Sequence, residues 1–251
     1  MKKSITITTL AALAGLALAA GSAHAATIYN ETFSGSGDLN DTTPDTTTDG
    51  NKWVASTDWN ENGSIAASTS IADDDSAFLA FAPTSGFVYT LSATVSLPTD
   101  GNSASDWVAL GFTASNATGS NTGAAGFWSD PNNASPWMLY RVNSQVVTFD
   151  GPGVSGTNEG EGDFAAGPIA MSIELDTTGA LWAAEWFVDG SSVRTVTFAS
   201  NPTINHVGFG RENGASSTLT SFSLTTIPEP GAYALLAGLT GLVFVMLRRR
   251  R

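Results

Sequence analysis

LWAAEWFVDGSSVRTVTF, Leu181 to Phe198, is the stretch that decides the fold. Two runs rich in aromatic and β-branched residues flank Asp189-Gly190, and glycine accepts the positive φ that a two-residue hairpin turn demands. Just upstream, Ile169 to Asp176 alternates: Ile169, Met171, Ile173 and Leu175 face one way, and Ser172, Glu174 and Asp176 face the other. A period of two places apolar side chains on the core face of a sheet and polar ones on its wet face. Phe87 to Leu97, FVYTLSATVSL, shows the same alternation, with Phe87, Tyr89, Leu91, Ala93, Val95 and Leu97 opposite Thr90, Ser92, Thr94 and Ser96.

Working outward, Asp106 to Thr113 is apolar on both faces, as a central strand packed on both sides should be. Pro136 to Val142 and Gln145 to Phe149 form a second hairpin around Asn143-Ser144. Ile28 to Phe33 opens the body, and Ile204 to Gly210 and Leu219 to Thr225 close it. No segment between these sustains a helical period. About nine short strands over roughly 200 residues predict an all-β fold, an antiparallel β-sandwich or barrel. Ser34 to Asn51, Ser115 to Asn133 and Gly151 to Gly167, rich in Gly, Asn, Asp, Ser and Thr, read as long connecting loops. There is no internal repeat.

The two ends read as addresses. Lys2 and Lys3 precede an apolar run, Ile5 to Ala20, and Ala23-His24-Ala25 supplies the small residues that signal peptidase reads, so cleavage is expected after Ala25. The last segment is IPEPGAYALLAGLTGLVFVMLRRRR, residues 227–251. Pro228-Glu229-Pro230 is an extended break. An uncharged run follows, short for a span of about 20 residues, and then Arg248, Arg249, Arg250 and Arg251 act as a cytoplasmic stop. The order motif, transmembrane helix, basic end resembles the PEP-CTERM sorting signal of Gram-negative bacteria. The resemblance implies recognition of Pro228, Glu229 and Pro230 by an exosortase, a membrane-embedded transpeptidase, with Arg248 to Arg251 as the basic end. The resulting division is a signal peptide at 1–25, a β-sandwich domain at 26–226 and a sorting signal at 227–251.

Charge and composition exclude several chemistries. The 26–226 body holds four basic residues, Lys52, Arg141, Arg194 and Arg211, against 22 acidic ones, a formal charge of −18. Nucleic acid is excluded as a partner, because phosphates need clustered Lys and Arg. With no cysteine in the chain, disulfides, thiol nucleophiles and Cys-based metal sites are absent. His206 is the single histidine of the body, and no Gly-x-Ser-x-Gly elbow accompanies it, so it reads as a structural strand residue.

GPIAMSIELDTTGALWAAEWFVDGSSVRTVTF, then INHVGFG and LTSFSLTTI, is similar in order to the second half of LamG-like jelly rolls of the concanavalin A-like lectin/glucanase superfamily. The matching features are an Ile-x-Leu-Asp strand, a Trp-bearing strand, a Val-Asp-Gly turn, a returning strand and a late Val-Gly-Phe-Gly strand. The resemblance implies a two-sheet jelly roll and carbohydrate or matrix binding. Hydrolases in that superfamily carry Glu-x-Asp-x-Glu along one strand. Glu174-Leu175-Asp176 has only two acids, and Glu159 to Asp163 is set among glycines, so no catalytic residue is assigned and no enzyme is expected. Calcium is the one candidate cofactor, with oxygen ligands from Asp73, Asp74 and Asp75 or from the Asp41, Asp45 and Asp49 loop. Sugars stack on exposed aromatic faces. Trp107, Trp182 and Trp186 lie within strands and are expected in the core. Trp53, Trp59 and Trp128 lie in Gly/Asn/Asp-rich stretches and are the expected ligand surface. The reading is an exported surface or matrix protein that binds or structures extracellular polysaccharide. A purely structural surface protein and a glycoside hydrolase-like enzyme are the alternatives.

Overall fold

The structure, a computed structural model, describes residues 25–63, 66–68, 75–97, 107–117, 127, 135–150, 157–158, 164, 167–212 and 217–228. The compact unit is Thr27–Thr226. Ala23, Glu229, Pro230, Arg248 to Arg251 and both expected terminal helices lie outside the described residues. Among the described residues no helix is long and apolar enough to cross a membrane.

Among the described residues seventeen strands make two antiparallel sheets. In chain order they are β1 (Ala26–Glu31), β2 (Ser36–Asp38), β3 (Thr46–Thr47), β4 (Val54–Ala55), β5 (Trp59–Asn62), β6 (Ala66–Ser68), β7 (Asp75–Ala80) and β8 (Phe87–Ser96). They continue with β9 (Trp107–Thr113), β10 (Trp137–Arg141), β11 (Val146–Phe149), β12 (Thr157–Asn158), β13 (Ile169–Asp176), β14 (Ala183–Val188), β15 (Ser191–Thr197), β16 (His206–Glu212) and β17 (Thr218–Pro228). The first sheet runs β15-β14-β13-β8-β17-β6-β5-β2, with β1 pairing both β17 and β3; the second runs β12-β11-β10-β9-β16-β7-β4.

Alternation sets the register. On β13 and β8, Met171 stands opposite Ala93, Ile173 opposite Leu91 and Leu175 opposite Tyr89, all buried, so both strands turn the same face inward. The β14–β15 turn places Asp189 at φ 48° and Gly190 at φ 75°, the doubly left-handed geometry expected of Asp-Gly. Asp189 also accepts the Ala170 N–H through Oδ1 at 2.9 Å, which ties the turn to β13. All seven residues of β9 are buried, as the two-faced apolar run requires.

Two apolar clusters result. The larger fills the space between the sheets and contains Leu91, Ile173, Trp186, Val108, Phe112, Phe209 and Phe222. The smaller, with Trp107, Trp137, Phe78, Phe127 and Phe149, lies on the other face of the second sheet. Trp137 stacks on Phe149 at 3.7 Å between ring centroids. Gly111, paired with Trp137, is required there: a Cβ would stand 2.2 Å from Trp137 Cβ.

The strand boundaries read from alternation agree with the structure, but β2 to β7 and β12 were not legible. Asp75-Ser76-Ala77-Phe78-Leu79-Ala80 is buried on both faces except at its last residue, so it has no period of two to read. The expected loop 34–51 contains β2 and β3.

Candidate functional site

A cleft of about 510 Å³ opens at one end of the sandwich, between the sheets. From the first sheet it takes Ile28 of β1, Phe87 and Tyr89 of β8 and Thr226 of β17; from the second, Ala80 of β7 and Asn205, which precedes β16. Thr48, Asp49 and Asn51 approach from the segment after β3.

One wall is aromatic. Tyr89 points inward because it is the third residue of an alternating strand, and its ring lies 5.1 Å from Phe81 and 6.1 Å from Phe87. Its hydroxyl accepts the Thr84 N–H at 2.9 Å and bonds the Thr84 carbonyl at 3.2 Å, which closes the 81–86 connection. Thr177 locks the same connection by donating its hydroxyl towards the Thr84 and Phe87 carbonyls.

The facing side is polar. The Tyr29 hydroxyl donates to the Ala80 carbonyl at 2.6 Å and accepts from Asn51 Nδ2 at 2.6 Å. Burial pushes the Tyr29 phenol above its ordinary value of 10.0, the Asn51 hydrogen bond opposes the shift and the nearby Asp49 charge adds to it, so the phenol stays protonated at neutral pH. Asn205 donates Nδ2 to the Ala114 carbonyl at 3.1 Å. Asn51 Oδ1, Asn205 Oδ1 and the Asp49 carboxylate have no partner among the described residues. The Thr226 hydroxyl is buried and also has none. Among the described residues the lining holds no Lys or Arg and one carboxylate. It is an acceptor-rich edge beside an apolar wall, in the volume range of small-molecule sites.

The tryptophans expected at a ligand surface are placed differently. Trp53 is 1% exposed and Trp59 0%. Both pack edge-on against Phe209, at 5.3 and 4.8 Å, inside the sandwich. Glycine- and asparagine-rich neighbours mark turns, and turns carry their large apolar side chains inward when a core lies beneath them. Trp128 lies outside the described residues. Trp107 and Trp186 are buried as expected, and Trp182 packs half-buried against the core.

The described calcium candidates are engaged separately. Asp73 and Asp74 lie outside the described residues. Asp75 is 1% exposed and engaged: Oδ2 accepts Arg211 Nε at 3.0 Å and Nη2 at 2.5 Å, and Oδ1 accepts the Ser56 hydroxyl at 2.8 Å. Asp45 accepts the Thr32 N–H and hydroxyl, and Asp41 pairs with Lys52 at 2.9 Å, which leaves only Asp49 near the cleft. Among the described residues no group of three His, Asp or Glu could hold a metal ion.

Glu174 and Asp176 face outward from β13, with Glu174 directly opposite Glu185 on β14, and none of them lines the cleft. Burial, then the charges of Glu185 and Asp176, push the Glu174 carboxyl above its ordinary 4.5. A raised folded-state value means that stability present below pH 4.5 is lost as pH rises through it. Glu174→Gln is therefore expected to be stabilising at pH 8 relative to the parent and near-neutral at pH 4. Urea midpoints at both pH values measure this, and a pH-independent difference would sink it.

No protein-family model and no curated protein sequence matches the chain. Solved structures do match in shape. The endo-1,3-beta-glucanase from Streptomyces sioyaensis superposes with a TM-score of 0.52 at 13% identity, over 81% of this chain and 97% of that one. The carbohydrate recognition domain of Emp47p gives 0.52 at 13%, over 81% and 96%. Lectin II from Ulex europaeus gives 0.50 at 12%, over 82% and 100%. The fold is a concanavalin A-like sandwich. At these identities the likeness concerns backbone architecture alone. Within this concanavalin A-like sandwich, what the cleft can bind follows from its own residues, Phe87, Tyr89, Asp49, Asn51 and Asn205; of these the sequence marked only Asp49, and as a calcium ligand. They are separated by up to more than a hundred residues in the chain, and no local pattern joins them.

Proposed function

We propose that this is an exported, non-catalytic module that binds extracellular polysaccharide through the end cleft. The observation that carries the reading is the pairing of the Phe81-Phe87-Tyr89 wall with the unpartnered acceptors of Asn51, Asn205 and Asp49. A pyranose has an apolar face and a rim of hydroxyl donors, and each half of the cleft matches one of these. Carbohydrate binding also agrees with the lectin and carbohydrate recognition domains among the structures of similar fold. The N-terminal apolar run with Ala23 and Ala25, and the C-terminal Pro228-Glu229-Pro230 with its basic end, support export by signal peptidase and sorting by an exosortase to the surface or matrix of a Gram-negative cell. The LamG-like order of the second half is consistent with the same role. A non-catalytic role is favoured because glycoside hydrolysis needs two carboxylates about 5–9 Å apart, and among the described residues Asp49 is the one carboxylate that lines the cleft.

A second reading, a surface building block without a specific ligand, is favoured by the burial of Trp53 and Trp59. Titration of residues 26–226 against a polysaccharide panel separates the two. Saturable binding that falls at least tenfold in Phe87→Ala, with the unfolding midpoint preserved, is the expected result. Binding by no member of the panel would leave the structural reading.

A further inference from the structure

We infer that the end cleft discriminates by charge: it accepts neutral and amino-bearing sugars, rejects uronates, and owes the discrimination to Asp49. This rests on the cleft being the sugar site. Three lining side chains offer acceptors, Asn51 Oδ1, Asn205 Oδ1 and the Asp49 carboxylate, while both Asn51 amide hydrogens go to Tyr29 and Ala80 and one from Asn205 goes to Ala114; the hydroxyls of Thr48, Thr84 and Thr226 can donate or accept. A ligand seated against the acceptors supplies donors to them. Sugar hydroxyls do so, and an ammonium group does so with opposite charge.

Among the described residues a carboxylate on the sugar would meet no cation: no described Lys or Arg lines the cleft, and the four cations of the body are placed elsewhere. Lys52 is paired with Asp41, Arg194 with Asp150 and Arg211 with Asp75, and Arg141 lies on β10 in the second sheet, outside the lining. The body's charge of −18 acts in the same direction at longer range. Asp49 is exposed and lies in no ion pair among the described residues, and its charge is felt at the Tyr29 phenol on the cleft's polar side. The lone carboxylate is therefore positioned as a selector and not as half of a catalytic pair.

The test is calorimetric titration of the full chain, purified in detergent, with matched oligosaccharides of glucose, glucosamine and galacturonate at low and high salt. The glucosamine oligomer is expected to bind about three- to fivefold tighter than the glucose oligomer, as an exposed ion pair allows, and the galacturonate oligomer weaker still. Asp49→Asn should remove most of the difference between the charged sugars, as should high salt, while any change in glucose binding is shared by all three oligomers. Galacturonate binding as tight as glucose, or discrimination untouched by Asp49→Asn, would overturn charge selection while leaving the cleft as a sugar site. Failure of all three sugars to bind, or binding unaffected by Phe87→Ala, would overturn the site itself.

Discussion

Arg211→Met is expected to cost the domain about 3–5 kcal/mol, the largest single-residue effect in the described structure. Arg211 sits on β16 with its guanidinium 0% exposed, in register with Asp75 on β7, itself 1% exposed. Both side chains point into the interior of the sandwich, because Val207 and Phe209 on one strand and Ala77 and Leu79 on the other share that face. Two of the guanidinium donors fork onto Asp75 Oδ2 while Ser56 serves Oδ1. Removing the cation leaves a buried carboxylate without its counter-charge, and the loss comes from that uncompensated charge more than from any net worth of the pair. Asp75→Leu combined with Arg211→Met should accordingly recover most of the loss, since a well-packed apolar replacement of a buried pair is often neutral. Urea denaturation of residues 26–226 measures both variants. A single-variant cost below about 1 kcal/mol would mean that the pair behaves as a solvated surface pair. The same two strands frame the cleft, where β7 ends at Ala80 and Asn205 leads into β16, so the pair also holds the register of one side of the site.

The second large effect is expected at Trp53. Truncating a buried tryptophan to alanine costs about 3–5 kcal/mol through lost transfer energy and the cavity left behind. Here the ring also bridges the sheets. It lies 5.3 Å from Phe209 of β16 and 5.1 Å from Phe222 of β17, and its Nε1 donates to Glu31 Oε2 at 3.3 Å. Glu31 is 2% exposed, and burial raises its carboxyl above the ordinary 4.5, with the bonds from Phe33 and Trp53 opposing the shift. Trp53→Ala should therefore unfold at markedly lower urea than Trp53→Phe, while the folded fraction of either variant keeps its sugar affinity. Loss of affinity with stability preserved would return Trp53 to the ligand surface.

Much of the fold was legible because alternation is a local property. Ile169 to Asp176 declares its inner and outer faces by itself, and Asp189-Gly190 declares its turn by the φ values it tolerates. The strands that escaped, β2 to β7, are either too short to show a period or, like Asp75 to Ala80, buried on both faces. Asp73-Asp74-Asp75 reads locally as a set of calcium ligands because the counter-charge of Asp75, Arg211, lies 136 residues away. Trp53 and Trp59 were misplaced because local composition tells that a chain turns, and not what lies beneath the turn.

By itself, the sequence determined an antiparallel all-β body, the inward face of its longer strands, the Asp189-Gly190 turn and a strongly acidic charge. These follow from periodicity, from counting charges and from short motifs, all of which are additive along the chain. Only the tertiary structure decided which aromatics are core, which carboxylate is locked to Arg211, and that Phe87, Asn51, Asp49 and Asn205 meet in one cleft. Such meetings depend on how two sheets stack and where their ends coincide, and that is set by long-range packing that no local window contains.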